Sequence, residues 1–128
     1  MVSSKSNGFE DLKVWQKARF FAGNIYQTSK KFPKEDLYGI TNQIRRASLS
    51  IASNIAEGCA KNSDKDFLRY IRISLGSAAE LKCQLIIAND IKIIDNADCE
   101  TLLSDLTEIA KMLKGLERNL VNKTSIDR

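Results

Sequence analysis

Residues Leu102–Leu120 read LLSDLTEIAKMLKGLERNL. Within them Leu102, Leu106, Ile109, Leu113, Leu116 and Leu120 recur at alternating steps of four and three. An α-helix turns once in about 3.6 residues, so this spacing lays a single apolar stripe along one helical face; a strand would alternate every second residue. The pattern predicts an amphipathic helix from Asp98 to Val121 that turns its stripe toward a core.

Upstream the same periodicity recurs three times. Phe67, Ile71, Ser74, Ala78, Leu81, Leu85 and Ala88 mark a helix that opens at Ser63 and exits at Asn89–Asp90. Ser63 with Asp66 three residues on is a capping pattern, in which a side-chain oxygen accepts from an otherwise orphaned backbone N–H. Leu37, Ile40, Ile44, Ala47, Ile51 and Ile55 mark another helix over Lys34–Glu57. Glu35 and Asp36 suit its positive end, and Gly58 stands where a left-handed cap is expected. Leu12, Trp15, Ala18, Ala22, Ile25, Ser29 and Phe32 mark the first helix, over Asp11–Lys31. It is ended by Pro33, the only proline, because a residue before proline is pushed out of the helical region.

Four helices with short connections predict an all-α fold, an antiparallel up-down-up-down four-helix bundle spanning 9–121. Residues 1–8 are expected to be a disordered tail and 122–128 a frayed one. Two long hairpins that stay open and pair between chains would satisfy the same stripes.

Composition bounds the function. The chain has 128 residues with a hydrophobic fraction of 43%, enough for one core. A net charge of +4 permits polyanion binding without requiring it. Residues 1–31 hold six of the 20 basic side chains and two of the 16 acidic ones, so the basic excess lies toward the first helix. The absence of histidine removes the commonest general base and metal ligand. Cys59, Cys83 and Cys99 are too widely spaced for a zinc site or disulfide framework and read as reduced thiols. No metal, cofactor or catalytic residue is expected. Glu57 and Glu80 are the nearest approach to a carboxylate-based hydrolase, and neither has a recognisable catalytic partner nearby in sequence. MVSSKSNGF lacks an apolar signal core and no apolar run is long enough to span a bilayer, so the expectation is a cytoplasmic protein without a membrane partner.

Two surfaces stand out. Gln43, Arg46, Ser50, Asn54 and Glu57 share one face of the second helix. Beside them Thr41, Ser48, Ala52 and Ala56 form a small-residue stripe, echoed by Gly76 and Ala79 ahead of Glu80. A mid-helix glycine costs about 1 kcal/mol against alanine and is tolerated where another backbone approaches. Gln43, Arg46, Ser50, Asn54, Glu57, Gly76 and Glu80 are therefore the expected subunit-interface residues, with Arg46 reaching a carboxylate of a neighbour; a solvated polar face is the plainer alternative. Tyr38, Leu49, Leu68, Ile73, Leu75 and Ile86 fall off the main stripes, an apolar surplus that points the same way. The basic residues Lys13, Lys17, Arg45, Lys61, Lys65, Arg69 and Arg72 are the expected nucleic-acid-binding set. With no aromatic platform interleaved, binding would be backbone-led and poor in sequence readout.

The segments FEDLKVWQKA (Phe9–Ala18), FPKEDLYGITNQIRRASLSIASNIAEG (Phe32–Gly58) and GSAAEL (Gly76–Leu81) resemble the family of 23S rRNA intervening-sequence proteins. The resemblance runs from about Phe9 to Leu120 and is most specific in QIRRASLSIASNIAEG. It implies an antiparallel four-helix bundle that assembles into five-fold rings, with no enzymatic activity. The accessory variability proteins of diversity-generating retroelements are similar, and their basic pentamers bind nucleic acid and a reverse transcriptase. The motif residues fall here on Gln43, Arg46, Ser50, Asn54, Glu57, Gly58, Gly76 and Glu80. The family's Gly-Tyr pair after helix three is replaced by Lys92-Ile93, so that turn is expected to be capped differently. The resulting expectation is a non-catalytic homo-oligomer, a pentamer by resemblance, that binds RNA, DNA or a nucleic-acid enzyme; the alternative is a protein-assembly module that binds no nucleic acid.

Overall fold

A computed structural model describes residues 8–126. Residues 1–7, most of the expected N-terminal tail, lie outside the described residues, as do 127–128. The elements are α1 (Lys13–Ser29), α2 (Asn42–Cys59), α3 (Asp64–Asp90) and α4 (Asn96–Ile126), with a 3-10 turn at Phe9–Asp11 before α1. Ser63 caps α3 as its spacing predicts: its backbone is extended (φ −138°, ψ 146°) and its Oγ accepts from the Asp66 N–H at 3.1 Å. Asp95 does the same for α4, its Oδ1 accepting from the Asp98 N–H at 2.8 Å.

The four stripes converge. Ile25, Ile44, Ile51, Ile55, Ile71, Leu81, Leu85, Ile109 and Leu113 are fully enclosed, and each burial removes apolar surface worth roughly 1.5–3 kcal/mol per side chain from water. α1 contacts α2, α2 contacts α3, α3 contacts α4 and α4 returns to α1, so the bundle closes within one chain rather than opening into two hairpins. The α2–α3 seam is the tightest. Ser74 is buried there and its hydroxyl donates across the seam to the Ile51 carbonyl, while Ser48, buried on α2, donates to the Arg45 carbonyl of its own helix. Ion pairs bind the rim, Lys17 to Glu108 at 2.7 Å and Arg72 to Glu117 at 3.0 Å.

Four local expectations are revised. The second helix is not continuous from Lys34: a 3-10 turn at Lys34–Asp36 leads into a π-turn at Leu37–Thr41, and the α-helix proper begins at Asn42. Gly39 carries the break (φ −110°, ψ −117°), and Leu37 and Tyr38 turn out to solvent, Tyr38 being 93% exposed. Gly58 is not a left-handed cap, since no described glycine has a positive φ. It is buried inside α2, where a β-carbon would lie 2.6 Å from Tyr70 Cβ. Leu68, read as surplus, belongs to the core: it lies one turn before Ile71 on α3, and the buried face is wider than the single predicted stripe. The fourth helix continues to Ile126 instead of fraying after Val121; Thr124 lies against the start of α3 and its hydroxyl donates to the Val121 carbonyl.

The turn after α3 is capped without glycine. Lys92 takes up the left-handed conformation (φ 66°), its N–H reaching the Asn89 carbonyl at 3.1 Å while the Ile93 N–H reaches that of Ala88 at 2.9 Å. These are the two bonds of a Schellman motif.

Candidate functional site

The α2–α3 seam brings most of the predicted polar row together. Gln43, Arg46 and Ser50 of α2 line one cleft of about 270 Å³ with Glu80 of α3. Ser50 and Ser77 share a hydrogen bond at 2.8 Å, and Asn54 donates to the Ser50 carbonyl at 2.8 Å. One end of the row is closed by Tyr70, whose hydroxyl donates to Glu57 at 3.2 Å. Arg46 is exposed and forms no ion pair or hydrogen bond among the described residues, so its guanidinium is available to an outside carboxylate. Gly76 lies on the outer side of α3, where a β-carbon would meet nothing within 4 Å. The close approach that glycine implied is therefore not made to α2; within the chain Gly58 makes it. Ile73 and Ile87 stand seven residues either side of Glu80 on α3 and are 42% and 46% exposed, apolar shoulders beside the polar row.

Glu57 and Glu80 do not form a carboxylate pair. The α3 residues that face them, Tyr70 and Glu80 itself, are ten positions apart, about 15 Å along a helix. No group of three or more potential metal-ligating side chains occurs among the described residues. Burial pushes the Cys59 and Cys99 thiols above the ordinary thiol range, with nearby acidic groups adding to the shift.

The basic set divides. Antiparallel packing gathers Lys13, Lys61, Lys65, Arg69 and Arg72 at the end of the bundle where α1 and α3 begin. Lys61 and Arg69 bracket the Tyr70 ring, 5.5 and 4.6 Å from its centroid, so an aromatic does stand among the cations, contrary to the sequence reading. Lys65, Arg69 and Arg72 line a cleft of about 900 Å³ beside the α3 N-terminus. Arg72 is engaged by Glu117 and Lys17 by Glu108. Arg45 lies toward the opposite end, half-buried over the Tyr26 ring at 5.0 Å with its Nε donating to Ser29 at 2.7 Å. It locks α2 to α1 and is separated from the other cations.

A further basic surface escaped the sequence reading. Lys82 of α3 and Lys111, Lys114 and Arg118 of α4 edge a groove of about 610 Å³ between those helices. Steps of three and four align the α4 cations on one face, a signal present in the sequence but overshadowed by the leucine seam beside it.

A family model described as 23S rRNA-intervening sequence protein matches residues 10–115. The chain belongs to the 23S rRNA-intervening sequence protein family. The match covers α1, α2 and α3 entire and α4 as far as Gly115, so every predicted interface and nucleic-acid residue lies inside the family region while Arg118 lies beyond it. The chain is also similar to a solved protein of unknown function from the S23 ribosomal protein family of Bacteroides thetaiotaomicron. The two are 28% identical with a TM-score of 0.76, over 81% of this intervening-sequence protein and 97% of the other chain. Among curated proteins, none matches the chain. No helix among the described residues is long and apolar enough to cross a membrane.

Proposed function

We propose that this intervening-sequence protein is a non-catalytic, self-associating bundle that holds a nucleic-acid backbone at its α1/α3 end. The observation that carries the reading is the run of cations at the start of α3: Lys61 and Arg69 lie over the Tyr70 ring, and Arg69 shares the cleft beside the helix N-terminus with Lys65. Phosphate is attracted by lysine, by arginine and by the unpaired N–H groups of a helix start. The Tyr70 ring is taken up by Lys61 and Arg69 and serves to position them, so the contact would be led by the phosphate backbone. One bundle presents few such cations, and a ring of copies would multiply them by symmetry. The α2–α3 face suits that assembly: Arg46 is unengaged, Gly76 is open to a close approach, and Ile73 and Ile87 are exposed. The family's association with an rRNA intervening sequence favours RNA as the first ligand to try.

The deciding experiment is a salt-titrated anisotropy assay with short RNA and DNA, run beside light scattering of the same sample. Binding at about 50 mM salt that weakens steeply as salt rises supports the reading. It should be lost when Lys61, Lys65 and Arg69 are replaced together by Gln. An intact oligomer that binds neither nucleic acid would leave a protein-assembly module as the better description. A species of only 14.4 kDa would remove the ring. Arg46→Ala should loosen assembly with little change in folding, whereas Arg45→Ala should cost folding stability by freeing Ser29 and Tyr26.

A further inference from the structure

The groove between α3 and α4 has the build of a helix-binding channel. Leu75 and Ala78 of α3 and Leu103, Leu106 and Ala110 of α4 line its floor. All five are aliphatic, and the two alanines leave room between the leucines for side chains of another helix. Lys82 stands on one bank; Lys111, Lys114 and Arg118 stand on α4. Lys82, Lys111 and Arg118 form no ion pair among the described residues, and Lys114 reaches Glu117 only at 3.9 Å.

We propose that this groove binds an amphipathic helix of a partner protein, with leucine-type residues on its inner face and Glu or Asp along its flanks. The floor decides against nucleic acid: it offers no aromatic side chain for a base, and aliphatic carbon gives phosphate no donor. It suits the apolar face of a helix laid into a groove. The rim decides the charge. Lys111, Lys114 and Arg118 advance by three and then four residues, so carboxylates at the same spacing on an incoming helix meet them in turn. The lining runs on α4 from Leu103 to Arg118, fifteen positions or about 22 Å, which a partner of roughly four helical turns would fill. This surface is separate from the α2–α3 face and from the cluster around Tyr70.

The test uses the full chain and three labelled probes in fluorescence anisotropy. One is a peptide of about 18 residues with Leu at helical spacing and Glu on both flanks; the second has the same composition with the spacing scrambled; the third is a single-stranded oligonucleotide. The first should bind and the scrambled peptide should not. Reversing Lys82, Lys111 and Arg118 together to Glu should weaken the first about tenfold or more, as should Ala79→Trp, which fills the groove from an exposed position without changing its charge. All of these positions are exposed, and an unchanged melting temperature would verify folding. Replacing Lys61, Lys65 and Arg69 by Gln should leave peptide binding unchanged while abolishing oligonucleotide binding. The proposal is overturned if the amphipathic peptide does not bind, if the scrambled peptide binds equally, or if the groove variants reduce oligonucleotide binding and spare the peptide.

Discussion

Gly58 of α2 and Tyr70 of α3 meet so closely that a β-carbon on Gly58 would lie 2.6 Å from that of Tyr70. The Phe67 ring, 3.0 Å from the same point, closes the other side. Gly76, on the outer side of α3, has nothing within 4 Å. Two glycines in helices thus stand in opposite surroundings. Gly58→Ala gains about 1 kcal/mol of helix propensity but overpacks a closed contact, for a net loss of about 1 kcal/mol. Gly76→Ala carries only the propensity gain and should stabilise by roughly 0.5–1 kcal/mol. Urea unfolding at fixed protein concentration measures both. If copies meet at Gly76, the same substitution should also reduce the oligomer seen by light scattering.

Lys92 pays a conformational penalty at the end of α3. An L-residue in the left-handed region costs about 1–2 kcal/mol, which glycine avoids at the expense of a more flexible unfolded chain. Lys92→Gly should therefore raise stability by about 0.5–1 kcal/mol, and Lys92→Val, whose branched β-carbon tolerates that region poorly, should lower it by about 1 kcal/mol. Thermal and urea denaturation of the two variants should move in opposite directions; movement in the same direction would count against the left-handed cap.

Lys17 and Glu108 tie α1 to α4 and set a pH dependence. Their hydrogen bond and charge attraction hold the Glu108 carboxyl below the ordinary carboxylate range and raise the Lys17 ammonium above its own. A lowered carboxylate contributes stability above its unfolded pKa and loses it as pH falls through the folded one. A raised ammonium contributes below its unfolded pKa and loses it as pH rises through the folded one. The pair's contribution should be flat across neutral pH and decline at both extremes. Glu108→Gln should flatten the acid limb of melting temperature against pH, by a small margin because Glu108 is exposed and Lys17 partly so.

The three thiols should react in order of exposure. Cys83 is exposed, Cys59 half-buried and Cys99 buried, with the Cys99 Sγ directed at the Leu85 carbonyl. Burial first, then Glu100 and Asp90, pushes the Cys99 thiol up and starves it of thiolate, the reactive form. Maleimide labelling followed by mass spectrometry should modify Cys83 first and Cys99 only under denaturant. Early modification of Cys99 would contradict its burial.

The sequence by itself determined the four helices, the cap of α3 at Ser63 and most of the core, though its stripes left out Val14, Phe21, Leu68, Ile94 and Cys99. Each of these depends on positions a few residues apart, and helical periodicity and capping are local effects. It also determined which side of α2 carries Gln43, Arg46, Ser50, Asn54 and Glu57, since a helix face follows from spacing alone. The tertiary structure decided what those spacings meet. Only packing between helices shows that Gly58 touches Tyr70 while Gly76 touches nothing. The placement of Arg45 on Tyr26, away from Lys61 and Arg69, likewise depends on how α1, α2 and α3 lie beside one another. The groove between Lys82 and Arg118 exists on neither helix alone. Such contacts join residues far apart in the chain, and their distances are set when the four stripes close on a common core.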